Sequence, residues 1–238
     1  MDFKTFKAYM SAYDKPLNVM FRTALNKFPF KAKLRNGLEV EIKSKRHAWF
    51  FSTLHNLDII FVNDTFIQFR YKDRFDINGF VTFGEIFRDG IYDVDVKGRT
   101  VVDVGAGIGD SSIYFALNGA KKVYAFDVNT TYLEKNIREN DLKDIIEPVR
   151  CECGLSNNLD IITLKYNIPS GSVLKVDCEG CEYDFFGVAP PRLISRYHAI
   201  IIEYHNGVQH LADLLRASVF NVTIKGNKKK IGLIYARG

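Results

Sequence analysis

One stretch narrows what this chain can fold into more than any other: Val101-Val102-Asp103-Val104-Gly105-Ala106-Gly107-Ile108-Gly109-Asp110. An apolar run passes into a glycine-rich turn and then into a helical pattern. Glycine lets a backbone approach a ligand closely, where a Cβ would collide. The next apolar run, Val123-Tyr124-Ala125-Phe126, ends on Asp127. An acid at the end of the second strand suits a ribose diol. Together the two features mark a nucleoside-cofactor site. A dinucleotide fingerprint, G-x-G-x-x-G, would place its third glycine at position 110. Asp110 stands there, and Gly109 comes one residue early.

The totals bound the fold. The chain has 238 residues, 47% of them hydrophobic, which suits one domain with an extension or two small domains. It contains no run of about 18 apolar residues, so no membrane span is expected. The N-terminus, Met1-Asp2-Phe3-Lys4, lacks the basic-then-apolar plan of a signal peptide. A cytoplasmic location is therefore expected. A net charge of +5 mildly favours anionic partners but falls short of a nucleic-acid-binding signature.

The first third reads differently from the rest. Residues 3–28 give two short helical patterns, broken near Asp14-Lys15-Pro16. Apolar runs at 30–34 and 38–42 flank Asn36-Gly37, a hairpin turn signal. Residues 45–56 read as helix, and Asn63-Asp64 divides a second candidate hairpin. Residues 1–75 thus form an expected α+β extension, and 76–238 the cofactor-binding domain. From Arg99 on, strands at 100–104, 122–126, 146–151, 172–177 and 198–203 alternate with helices near 111–118, 131–140, 179–187 and 208–217. That alternation predicts parallel βαβ units. Asp110 is the expected N-cap of the first helix, Asn118-Gly119 its stop, and Thr131-x-x-Glu134 a capping box for the second. Apolar runs around Gly226-Asn227-Lys228-Lys229 predict a closing antiparallel hairpin.

A second constellation lies downstream. Lys175-Val176-Asp177-Cys178-Glu179-Gly180-Cys181-Glu182 ends the fourth strand, and Ile201-Ile202-Glu203-Tyr204-His205 ends the fifth. The D-x-G-x-G-x-G spacing resembles motif I of the S-adenosylmethionine (SAM) methyltransferases. With the later segments, residues 84–236 resemble the FkbM family of those enzymes. The resemblance implies a Rossmann-like, seven-stranded class I sheet in the order 3-2-1-4-5-7-6, with strand 7 antiparallel. It also implies SAM as cofactor and a hydroxyl acceptor on a sugar or small metabolite.

Physical roles follow from position. Gly105, Ala106, Gly107 and Gly109 let the turn pass under the methionine moiety. Asp103 is placed to accept from the SAM amino group, directly or through water. Asp110 and Ser111 open the first helix, whose N–H groups favour a carboxylate. Asp127, with Val128 beside it, faces the ribose, and Glu152 and Cys153 lie where the adenine is expected. Asp177, Glu179, Glu203 and His205 leave adjacent strands beside the methyl position. They can remove a hydroxyl proton or hold a divalent metal ion, or Glu203 and His205 can simply pair with backbone or surface groups.

Rival readings attach to single residues. Lys43 to Phe51 interleaves bases with aromatics and suggests an RNA methyltransferase, or an amphipathic helix with its aromatics partly in a core. A SAM-fold binding protein without turnover is a further alternative, disfavoured by the intact acids. The cysteines, Cys151-x-Cys153 and Cys178-x-x-Cys181, have zinc-like counts, yet the two pairs end strands expected to lie apart. Buried thiols are the expectation. A nucleophilic Cys178 is a minor alternative.

Overall fold

The structure is a computed structural model that describes residues 3–55, 57–62, 66–71, 75–78, 84–187 and 189–238. It divides into two compact units, residues 1–91 and 92–238.

The N-terminal unit opens with α1 (Phe3–Ala12) and α2 (Pro16–Ala24). Pro16 takes the first turn of α2, where its missing N–H costs nothing. β1 (Phe30–Lys33) and β2 (Glu39–Ile42) pair antiparallel around Asn36-Gly37. Gly37 has a φ of +93°, and Asn36 Oδ1 accepts from Leu38 N at 3.2 Å. Ser44 caps α3 (Lys45–Thr53) by accepting from His47 N. α3 buries Phe50 and Phe51 and leaves Trp49 half exposed. The buried Tyr13 hydroxyl donates to Ala48 O at 2.7 Å. β3 (Asp58–Val62), β4 (Phe66–Arg70) and β5 (Phe75–Asn78) form an antiparallel sheet in that order. β5 was not expected, and the Asn63-Asp64 turn lies outside the described residues.

The C-terminal unit carries a seven-stranded sheet. Its strands are β6 (Thr100–Val104), β7 (Lys122–Asp127), β8 (Ile146–Arg150), β9 (Val173–Val176), β10 (Ala199–Tyr204), β11 (Asn221–Gly226) and β12 (Gly232–Arg237). The spatial order is β11-β12-β10-β9-β6-β7-β8. β8 through β10 run parallel, and β12 runs antiparallel between β10 and β11. This is the Rossmann-like class I methyltransferase order. β6, β9 and β10 are almost wholly buried, as parallel strands covered on both faces must be.

The helices are α4 (Asp110–Leu117), α5 (Thr131–Glu139), α6 (Leu159–Lys165), α7 (Glu182–Phe186), α8 (Pro191–Ile194) and α9 (Gln209–Ala217). α6 and α8 were not expected. α6 hides its apolar pattern because Leu159 and Ile162 are buried while Leu164 is exposed. Two caps shift by one residue. Gly109, at φ +94°, takes the N-cap of α4, and Asp110 becomes its first helical residue. Thr130 rather than Thr131 precedes α5, its Oγ1 donating to Glu134 Oε1 at 2.7 Å. α7 starts at Glu182, not near 179, because Cys178 and Cys181 close a loop ahead of it.

Candidate active site

The chain enters the sheet at β6, winds outward to β8, and returns to β9 on the other side of β6. Ligands of open α/β sheets bind beyond the carboxyl ends of the strands at such a switch point. Val104 and Val176 are register partners, so Gly105 and Asp177 leave the sheet side by side. Asp177 N donates to Val104 O at 3.0 Å. A Cβ on Gly105 would run into the Asp177 carbonyl. Glycine is thus required here by packing as well as by its φ of +71°. At Gly107 a Cβ would meet no protein atom; only a φ of +54° favours glycine there. The turn therefore presents an open backbone face at Gly107.

Behind the turn lies a buried ionic network. Asp103 is fully buried, and its Oδ2 accepts from Ser111 Oγ and Ser112 Oγ, each at 2.6 Å. Its Oδ1 lies 3.1 Å from Nζ of Lys175, which is 2% exposed in the middle of β9. Lys175 Nζ also donates to Gly105 O at 2.7 Å and lies 3.9 Å from Asp177 Oδ2. Burial pushes the lysine pKa down, but Asp103 and Asp177 outweigh it and hold the ammonium charged. Asp103, Asp110 and Ser111, three of the expected cofactor residues, are all buried. Lys175 was not among the expected site residues. A lysine inside an apolar strand was its signal.

Asp127 sits at the mouth. Its Oδ2 accepts from Gly107 N at 2.8 Å and its Oδ1 from Asn129 N at 3.0 Å. Each carboxylate oxygen keeps a second lone pair for a diol. Val128 beside it is exposed. After β8, Glu152 is exposed and Cys153 half-buried. Burial, then Cys151 and Asp127, push the Cys153 thiol well up, so it stays protonated. An acid with free lone pairs beside an open glycine turn fits the ribose end of SAM.

The second constellation gathers at the ends of β9 and β10. Tyr92 OH donates to Asp177 Oδ2 at 2.9 Å. Burial and the nearby Asp177 and Glu203 raise the phenol pKa, so it acts as a donor. His205 Nδ1 lies 2.9 Å from Glu182 Oε1, and its Nε2 lies 3.3 Å from Glu179 Oε2 and 4.0 Å from Glu203 Oε1. Glu182 is fully buried, whereas the Glu179 side chain reaches into solvent. Desolvation lowers the imidazole pKa, but Glu182, Glu179 and Asp177 outweigh it and leave it raised. Glu182 closes the acidic motif but was not an expected site residue.

Asp177, Glu203 and His205 bring one ligand atom each within 4.8 Å of one another. Two carboxylates and an imidazole suit a hard divalent cation. Such a cation would occupy the Nε2 lone pair, so the cluster can serve either a cation or a proton at one time. Cys178 and Cys181 are joined as a disulfide, which corrects the expectation of buried thiols and removes the nucleophilic reading of Cys178. Cys151 and Cys153 are free. Among the described residues no helix is long and apolar enough to cross a membrane.

Residues 84–163 match the model of the TRM5/TYW2 methyltransferase domain. The chain is 30% identical over 127 residues to Uncharacterized protein 158B of Sulfolobus islandicus rod-shaped virus 1, covering 52% of this chain and 71% of that one. A structure from Streptococcus mutans classed as a SAM-dependent methyltransferase matches with a TM-score of 0.52 at 11% identity, covering 94% of this chain and 65% of that one. Another, classed as a methyltransferase and complexed with S-adenosylhomocysteine, matches with a TM-score of 0.53 at 9% identity, with the same coverages of 94% and 65%.

Proposed function

Since the chain belongs to the family of protein 158B of Sulfolobus islandicus rod-shaped virus 1 and carries a SAM-dependent methyltransferase domain, we propose that it methylates a hydroxyl group of a sugar or other small metabolite. The observation that carries this reading is the aim of His205. Glu182 holds Nδ1, which leaves Nε2 among Asp177, Glu179 and Glu203 at the ends of β9 and β10. An aliphatic hydroxyl is a poor nucleophile until its proton is taken, and a positioned base contributes about 10²–10⁴-fold. The FkbM-like spacing of the two acidic segments supports the same acceptor class.

SAM supplies a methyl group made electrophilic by its sulfonium. Asp127 and Val128 would hold the ribose, the turn from Gly105 to Gly109 the methionine portion, and Glu152 and Cys153 the adenine. Asp103, Asp110 and Ser111 would keep that turn in shape. His205 Nε2 takes the acceptor proton, and Asp177, Glu179 and Glu203 orient the hydroxyl and balance the resulting imidazolium. The methyltransferase sheet is complete within residues 92–238. We therefore assign acceptor recognition to residues 1–75.

One observation favours a second reading. Lys45, Arg46 and Trp49 are exposed on α3, a combination that suits stacking on RNA bases. The test is methyl transfer from labelled SAM to a panel of hydroxylated metabolites and to RNA, with and without chelator. Labelled metabolite that persists under chelation supports the proposal. Labelled RNA alone selects the second reading, and loss of activity on chelation selects a metal ion at Asp177, Glu203 and His205.

A further inference from the structure

We infer that Glu182 is the positioning residue of His205, and that the Cys178–Cys181 disulfide clasps the loop through which it acts, so that the redox state of this bond sets the aim of Nε2. The inference rests on the proposed function for its catalytic consequence. Its structural part stands on its own.

Glu182 is fully buried, and its Oε1 gathers three donors. His205 Nδ1 lies at 2.9 Å, Gly180 N at 3.1 Å and Cys178 N at 3.3 Å. Two of those donors belong to the four-residue ring that the disulfide closes. Glu179 and Gly180, inside the ring, have φ of +56° and +117°. The left-handed region is unfavourable for a residue such as Glu179, so an open loop has an incentive to rearrange. A closed ring leaves it few alternatives.

α7 grips the histidine from a second direction. Tyr183, next to Glu182, donates from its hydroxyl to Gly207 O at 2.5 Å and accepts from Asn206 N at 3.1 Å. The residue that holds the imidazole and the residue that holds the backbone after it are therefore neighbours. Nε2 is faced by Glu179 from the ring, Asp177 from the end of β9 and Glu203 from β10. The β11–β12 turn reaches this segment through backbone oxygens of Lys228 and Lys230, which accept from Val208 N and Gly207 N. Among these charged groups Glu182 is the one at Nδ1, so it selects which nitrogen is left for the acceptor.

Opening the clasp is a two-electron reduction. A dithiol reductant attacks one sulfur, the Cys178–Cys181 bond breaks, and two thiols form as the reductant becomes a disulfide. With both sulfurs free, the backbone N–H groups of Cys178 and Gly180 are no longer held towards Glu182.

The test is nitrogen NMR of the His205 ring in the full chain, with the signal assigned by its loss in His205→Ala. The oxidised protein should carry its proton on Nδ1 in the neutral ring. Glu182→Ala should mix the two tautomers and lower kcat about 10²-fold at unchanged SAM affinity. Glu182→Gln retains an acceptor oxygen and should keep the Nδ1–H form, recovering part of that loss. Dithiothreitol should shift the wild-type spectrum towards that of Glu182→Ala, reoxidation should reverse it, and Cys178→Ser with Cys181→Ser should show the shifted spectrum throughout. An Nδ1–H signal unchanged in Glu182→Ala would overturn the positioning role. Identical spectra of oxidised and reduced protein would overturn the clasp. Failure of every hydroxyl acceptor would count against the proposed function and leave these spectral outcomes decisive for the inference.

Discussion

Lys175 Nζ and Asp103 Oδ1 lie 3.1 Å apart with neither side chain open to solvent. The pair ties the glycine turn on β6 to the acid loop on β9, because the same ammonium donates to Gly105 O and faces Asp177. Removing one partner of a buried ion pair leaves an uncompensated charge, at a cost of about 3–5 kcal/mol. Lys175→Met and Asp103→Asn should each destabilise the protein by about that much in denaturant unfolding. The double variant should lose clearly less than the sum of the two, because neither charge of the buried pair is left without its partner.

Two glycines of one turn should behave differently. Gly105→Ala drives a methyl group into the Asp177 carbonyl, so it should unfold the turn and abolish SAM binding. Gly107→Ala meets no protein atom and only adopts a left-handed φ, at a cost of about 1–2 kcal/mol. That variant should fold, yet bind SAM more weakly because its methyl group occupies the open face. Melting curves and calorimetry on both variants separate the two effects.

Asp127→Ala should weaken SAM by about 1.5–3 kcal/mol, the worth of hydrogen bonds to a charged group. It should not create affinity for NAD. Calorimetry with both ligands checks this, and an unchanged SAM affinity would refute the ribose role.

The pH dependence has a defined sign. The carboxylates around His205 outweigh its burial and raise its folded pKa above 6.5. A raised folded pKa gives stability that is present below the unfolded value and lost as pH rises through the folded one. A base must be neutral, so kcat/KM should climb through the same window in which that stability falls. Glu182→Gln should move both limbs to lower pH. Rate profiles and unfolding curves over pH 5.5–9 test the opposed trends.

Much of the cofactor half was legible in the sequence, because it depends on backbone. The apolar runs, the three glycines and Asp127 announce strand, turn and acid in order, and β6, β7, β9 and β10 lie within a residue or two of expectation. The capping shifts at Gly109 and Thr130 escaped because several polar residues could cap those helices. The opposite solvent exposure of Asp103 and Asp127 was not legible either. Both end strands, but which one meets solvent depends on Ser111, Ser112 and Lys175, brought together only by folding. Glu182 was hidden for the same reason: its partner is 23 residues away, just past the end of β10. The disulfide depends on loop geometry that spacing alone does not determine.

The central claim is that His205, at the ends of β9 and β10, takes the proton from a hydroxyl that then receives a methyl group from SAM. The direct measurement is NMR of the product formed from methyl-labelled SAM, with wild-type protein and with His205→Ala. The account predicts a labelled methyl group bonded to oxygen, formed by His205→Ala at a kcat lower by about 10²-fold or more with SAM affinity unchanged. A labelled methyl group bonded to nitrogen or carbon, or full activity in His205→Ala, would contradict it.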